Sequence, residues 1–158
     1  MKQLFAVCLA IVCLITLAPN ASAQSNDDMI EMLRQDITAD ATAIMTAALQ
    51  LDSAQSELFW PIWREYNLEW SKTGDAQLAL LKEYADNQLK MDDDLAEDYA
   101  KRAFKIEENR LKLRKKYWKK VNKAVGGIVA ARFVQVDRQL TNLMQVQIAS
   151  EVPLVQAP

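Results

Sequence analysis

The chain has no histidine, and its only cysteines, Cys8 and Cys13, both lie in an N-terminal segment with the marks of a leader. Lys2 gives a basic start, Leu4 to Leu17 an apolar run, and Pro19 precedes the small-residue sequence Ala21-Ser22-Ala23. The run is shorter than the roughly 20 apolar residues that a spanning helix needs. Neither cysteine sits in a lipid-attachment pattern. The expectation is cleavage after Ala23, with residues 1–23 a signal peptide and 24–158 a single helical domain. The product would be exported to the periplasm and keep no transmembrane anchor. An uncleaved N-terminal anchor is the rival reading, and the Ala-x-Ala site disfavours it.

These absences exclude much chemistry from residues 24–158. Without cysteine there is no disulfide, thiolate nucleophile or zinc-thiolate site. Without histidine the commonest general base and the commonest metal ligand are missing. Carboxylates could still act as a pair or bind calcium through oxygen, but none is laid out for either task. The carboxylates from Asp92 to Asp98 read instead as ordinary partners of a helix N-terminus. The expectation is a non-enzyme with no catalytic residue, no metal and no cofactor.

Helix breakers are also scarce. Glycine occurs only at positions 74, 126 and 127, and proline only at 19, 61, 153 and 158. With many Ala, Leu, Lys, Glu and Gln, this composition predicts an all-α fold. Residues 24–158 carry 18 basic and 21 acidic side chains, a net −3 that names no partner. The distribution is uneven: seven acids and one base lie between Glu83 and Asp98, eleven bases and two acids between Lys101 and Lys123. An exported chain with an acidic total is a poor candidate for nucleic acid.

Apolar residues recur with helical spacing. Met29, Leu33, Ile37, Ala41, Ile44, Met45 and Ala48 predict one amphipathic helix or two short ones. Asp52 and Gln55 then suit a capping box. The helix that follows, about residues 53–88, carries a seam through Phe59, Trp63, Tyr66, Trp70, Thr73, Gln77, Leu80 and Tyr84. Pro61 should kink it near Trp60; alternatively a new helix begins there. A turn at Lys90-Met91 and a cap at Asp92 lead to a third helix reaching about Ala124. Leu95, Tyr99, Ala103, Ile106, Leu113, Tyr117 and Val121 form one stripe, and Ala100, Phe104, Leu111, Trp118 and Val125 a second. Together they are wider than one neighbouring helix needs. After Gly126-Gly127, a last helix to about Ala149 presents Val129, Phe133, Val136, Leu140, Leu143 and Gln147. The expected architecture is a four-helix protein dominated by a long antiparallel α-hairpin. Its register should set Trp63 against Trp118 and bring Glu65 and Glu69 near Lys112 and Lys116.

Leu51-Asp52-Ser53-Ala54-Gln55 resembles the LTxxQ element of the exported helical stress proteins typified by Spy and CpxP, with Asp52 where that family has Thr. The strings from Phe59 to Tyr66, Arg110 to Tyr117 and Ile148 to Leu154 also look like a set of uncharacterised exported bacterial proteins. A second LTxxQ element is not supplied by Val125 to Val129. The resemblance implies a curved antiparallel dimer of long helices, which protects unfolded clients without ATP or dampens an envelope-stress sensor. Some relatives bind zinc, for which this chain lacks histidine ligands.

The expected function is therefore non-enzymatic binding of the envelope-stress type. Partners would be unfolded or envelope proteins, or a sensor domain, with a homodimer as the working form. A scaffold with one fixed partner is the alternative, and a metal-binding protein the third reading. The candidate contact residues are Trp60, as an exposed aromatic, with Phe104, Leu111 and Trp118 on the second stripe and Lys105, Lys112 and Lys116 on the basic face. Leu51, Asp52 and Gln55 carry the motif and serve in capping. The bland readings are core packing for the tryptophans and a solvated face for the lysines.

Overall fold

The computed structural model describes residues 39–155. Four α-helices account for nearly all of them, with no strand among the described residues: α1 over 39–49, α2 Ser53–Asn87, α3 Asp93–Val125 and α4 Gly127–Glu151. The fold is all-α. Met29, Leu33 and Ile37, like the leader and its cleavage site, lie outside the described residues.

Local chemistry sets each boundary. Gln50, at φ 49°, takes the left-handed conformation that closes α1, and its amide donates to the Thr46 carbonyl. Asp52 and Gln55 make the expected capping box: Asp52 Oδ1 accepts from the Gln55 amide at 2.8 Å, and Gln55 Oε1 from the Asp52 amide at 3.3 Å. The α2 helix then runs unbroken through Pro61 and Gly74, so no new helix begins at Pro61. Proline removes one helical hydrogen bond, leaving the Glu57 carbonyl without its amide. Both Glu57 and Pro61 are exposed, where water can serve that carbonyl. Asp92 caps α3 by accepting from the Leu95 amide at 2.9 Å. Gly126, at φ 93°, is the whole link between α3 and α4, and only glycine adopts that angle without strain.

The core lies where α1 crosses the other three helices. Met45 and Leu49 of α1 pack with Phe59, Trp63 and Tyr66 of α2, Tyr117 and Val121 of α3, and Val129, Ala130 and Phe133 of α4. Phe133 meets Phe59, Trp63 and Tyr66 edge-on, at centroid distances of 6.2, 6.2 and 5.4 Å. The Trp63 indole donates to Thr42 Oγ1 at 3.1 Å, tying α1 to α2. Further pairs run in chain order: Tyr66 with Asp137, Gln77 with Gln145, and Tyr84 with the Pro153 carbonyl. The α4 helix is thus parallel to α2 and antiparallel to α3.

The hairpin forms, but its register differs from the expected one. The expected register sets Glu65 opposite Lys116 and Glu69 opposite Lys112; instead Glu69 pairs with Lys116 and Glu65 with Lys120, each four residues further along α3. Tyr117, not Trp118, meets the α2 seam, 5.2 Å from Tyr66. Trp63 is buried and Trp118 exposed, on a different face of the bundle. The reason is the turn. A 3₁₀ segment, Gln88–Lys90, carries the outgoing chain further along its axis, so the reversal falls at Met91-Asp92.

The α4 seam also drifts. Leu143 is 69% exposed and Gln147 is exposed too, whereas the half-buried positions beyond Leu140 are Thr141, Met144, Gln145 and Ile148. A strict seven-residue repeat lags a straight helix by about 20° per heptad, which over the two heptads from Val129 to Leu143 turns the buried face toward the residues that follow the repeat.

The hairpin ion pairs give a pH test of this register. Hydrogen bonds from Lys120, Lys116 and Arg102 hold the carboxyls of Glu65, Glu69 and Glu83 respectively below the usual 4.5. A depressed folded-state pKa adds stability above the unfolded value, lost as pH falls below about 4.5 through the lowered values. Changing all three to Gln should flatten the acid limb of a stability–pH curve measured by urea unfolding. An acid limb as steep as that of the native chain would show that these pairs do not set it.

Candidate binding groove

A groove of about 1050 Å³ lies between α3 and α4. Its α3 wall carries Phe104, Leu111 and Trp118, seven residues apart and 69, 48 and 40% exposed. Seven residues are nearly two helical turns, so the three side chains form one row. Ala131 and Val134 supply apolar surface on the α4 wall, and Arg138, Thr141 and Asn142 polar surface. Such a row is the seam that a further helix would cover.

The groove stays open because α4 is held against α2 by buried polar contacts. Asp137, only 5% exposed, accepts from the Tyr66 hydroxyl at 2.6 Å and pairs with Arg114 Nε. Arg114 also donates to Thr141 Oγ1 at 3.3 Å. Each ion is compensated, as a buried charge must be. Burial first, and then the Asp137 charge, drives the Tyr66 phenol far above the ordinary tyrosine value, so it remains a donor.

Arg110, 6% exposed, extends this layer. Its Nε donates to Thr73 Oγ1 at 3.2 Å and its Nη2 to Gln77 Oε1 at 2.6 Å, while Nη1 has no partner. The Trp70 ring lies 5.4 Å from the guanidinium carbons of both Arg110 and Arg114, where its π-face offsets part of the desolvation. Burial pulls the Arg110 pKa down from its usual value. Sequence reading missed Arg110, Arg114 and Asp137. Arg110 was signalled by a gap in the α3 stripe between Ile106 and Leu113, whereas the α4 stripe runs through Val136 unbroken and gave no mark for Asp137.

Of the contact residues expected from sequence, Phe104, Leu111 and Trp118 come together on one wall of the groove. Trp60 does not belong with them: it is half-buried, packed on the core and 5.0 Å edge-on from Phe59. The exposed aromatics among the described residues are Phe104 and Trp118 instead. Lys105 and Lys112 are exposed and lie 3.8 Å from Glu108. Lys116 is committed to Glu69 in the hairpin. Leu51 packs against the core beside the capping box.

Among the described residues no group of His, Cys, Asp or Glu could hold a metal ion, and no helix is long and apolar enough to cross a membrane. No protein-family model, curated protein or solved structure matches this chain.

The buried layer predicts a mutational asymmetry. Asp137→Ala strands Arg114 and should cost about 3–5 kcal/mol, whereas adding Arg114→Met should recover a substantial part. Chemical denaturation of the two single variants and the double variant measures this coupling. Additive losses would show that Asp137 and Arg114 contribute independently.

Proposed function

We propose that this chain is a non-enzymatic, exported helical binding protein of the envelope-stress type, acting in the periplasm. Its cargo is an apolar segment of another polypeptide, held in the groove between α3 and α4. The observation that carries this reading is the exposed Phe104–Leu111–Trp118 row, walled by α4 and flanked by Lys105, Lys112 and Lys115. A contiguous apolar surface with a charged rim is the usual form of a polypeptide interaction site. The likeness of Leu51 to Gln55 to the LTxxQ element supports the same class. Client protection and restraint of a sensor domain both use such a groove, and the working form is a homodimer.

The two kinds of residue have separable tasks. Positive charge speeds encounter with acidic segments, and apolar contact sets how long they stay. Reversing Lys105 and Lys112 to Glu should slow capture of an unfolded acidic polypeptide several-fold at low salt. That deficit should vanish as added salt screens it. Trp118→Ala should leave the capture rate nearly unchanged and speed release. Stopped-flow capture and chase measurements read both. Unchanged rates in folded variants would reduce the lysines to solubilising groups and the row to plain surface. Trp60→Ala is the control: it should lower stability and leave release alone.

A further inference from the structure

The groove between α3 and α4 holds more positive charge than its own acids answer. Arg110 lines it, is buried, and hydrogen-bonds only to the neutral Thr73 and Gln77, with Nη1 unpartnered. Glu107 acts on this guanidinium through space, with no ion pair between them. A buried charge without an ion pair is costly, and the Trp70 face offsets only part of that cost. Lys115 of α3 and Arg138 of α4 also line the groove, are exposed, and make no ion pair among the described residues. Each follows one member of the Arg114–Asp137 pair, which sets the two at the same level on facing walls. Glu108, the other acid of the lining, stands beside Lys105 and Lys112 instead.

Apolar surface adjoins this cationic centre. Trp118, Ala131 and Val134 lie toward the Gly126 link, Leu111 beside the cations and Phe104 beyond them. We propose that the groove binds a single-chain amphiphile with an anionic head, of the fatty-acid class. The carboxylate sits between Lys115 and Arg138 over Arg110, and the hydrocarbon chain lies against Leu111 and Trp118. This site goes beyond the polypeptide reading and does not depend on it.

Three features favour an amphiphile at the centre of the groove. Its walls are α-helices whose backbone groups are spent on helical hydrogen bonds, so an extended polypeptide finds no main-chain partner there. A hydrocarbon chain needs none. The volume, about 1050 Å³, is close to the roughly 300–1,000 Å³ of small-molecule sites, which likewise set a few convergent polar groups in an apolar lining. Lastly, a carboxylate supplies the counter-charge that Arg110 lacks, and charge-assisted hydrogen bonds to guanidinium are among the strong ones. Binding should therefore also raise the stability of the fold.

Calorimetric titration of residues 24–158 with laurate, kept below its micelle concentration, tests the site. One laurate should bind per chain. Dodecyltrimethylammonium, with the same hydrocarbon length and a cationic head, should bind at least about tenfold more weakly. A net-acidic chain favours the opposite order unless a local site reverses it. Changing Lys115 and Arg138 together to Gln should weaken laurate by about tenfold or more and leave the cationic amphiphile no weaker. Arg132→Gln, exposed on α4 and outside the groove lining, should change neither. Trp118→Ala should weaken both amphiphiles alike. Circular dichroism checks the fold of each variant. Equal affinity for the two heads, or a preference for laurate that survives the double change, would overturn the proposal. So would an acidic peptide that binds through Lys115 and Arg138 where laurate does not, which would assign these cations to polypeptide. Laurate bound at this site by a chain that captures no polypeptide would support the proposal and count against the cargo reading alone.

Discussion

A single buried carboxylate determines where α4 lies. Asp137 takes a hydrogen bond from Tyr66 of α2 and a charged one from Arg114 of α3, so three helices converge on one side chain. Apolar packing alone tolerates sliding by a turn; an uncompensated charge in the interior does not, because it costs several kcal/mol. The Trp70 ring, shared by Arg110 and Arg114, extends the polar layer along the bundle. Such a layer contributes little net stability and much register.

This constraint divides the molecule. On one side of the layer, Met45, Phe59, Trp63, Tyr117, Val121 and Phe133 form an apolar core closed by α1. Alongside it, α4 has committed its inward face to α2 and to Arg114, and cannot also cover the second stripe of α3. Phe104, Leu111 and Trp118 are therefore left as a wall without a mate. The open groove is a consequence of how the bundle is locked, and its shape is as fixed as that lock. A binding surface on two anchored helices needs little ordering when a partner arrives, which reduces the entropic cost of association.

Much of this was legible in the sequence, and the misses have physical causes. The capping residues Asp52, Gln55 and Asp92 announced two helix starts, since their side-chain chemistry is local. The stripe through Tyr99, Leu113, Tyr117 and Val121 identified the buried face of α3, because burial follows helical period. The over-wide apolar arc on that helix pointed to the groove. The register was misplaced because a 3₁₀ turn shifts the reversal without any sequence mark. Trp60 was misjudged because its burial depends on the core it packs against. Arg110, Arg114 and Asp137 were passed over because each is conventional on a helix surface. Only their meeting in three dimensions makes them an interior layer, and along the helices the gap at Arg110 is its one trace.

The face proposed for binding carries an aromatic row, a basic flank and two fixed walls. It lies on α3 and α4, and amide hydrogen exchange tests it most directly. An unfolded acidic polypeptide added to the chain should protect amides within residues 104–118 and 131–145 and leave the outer face of α2 unchanged. Protection elsewhere, or none at saturating polypeptide, would contradict the assignment of that face as the binding site.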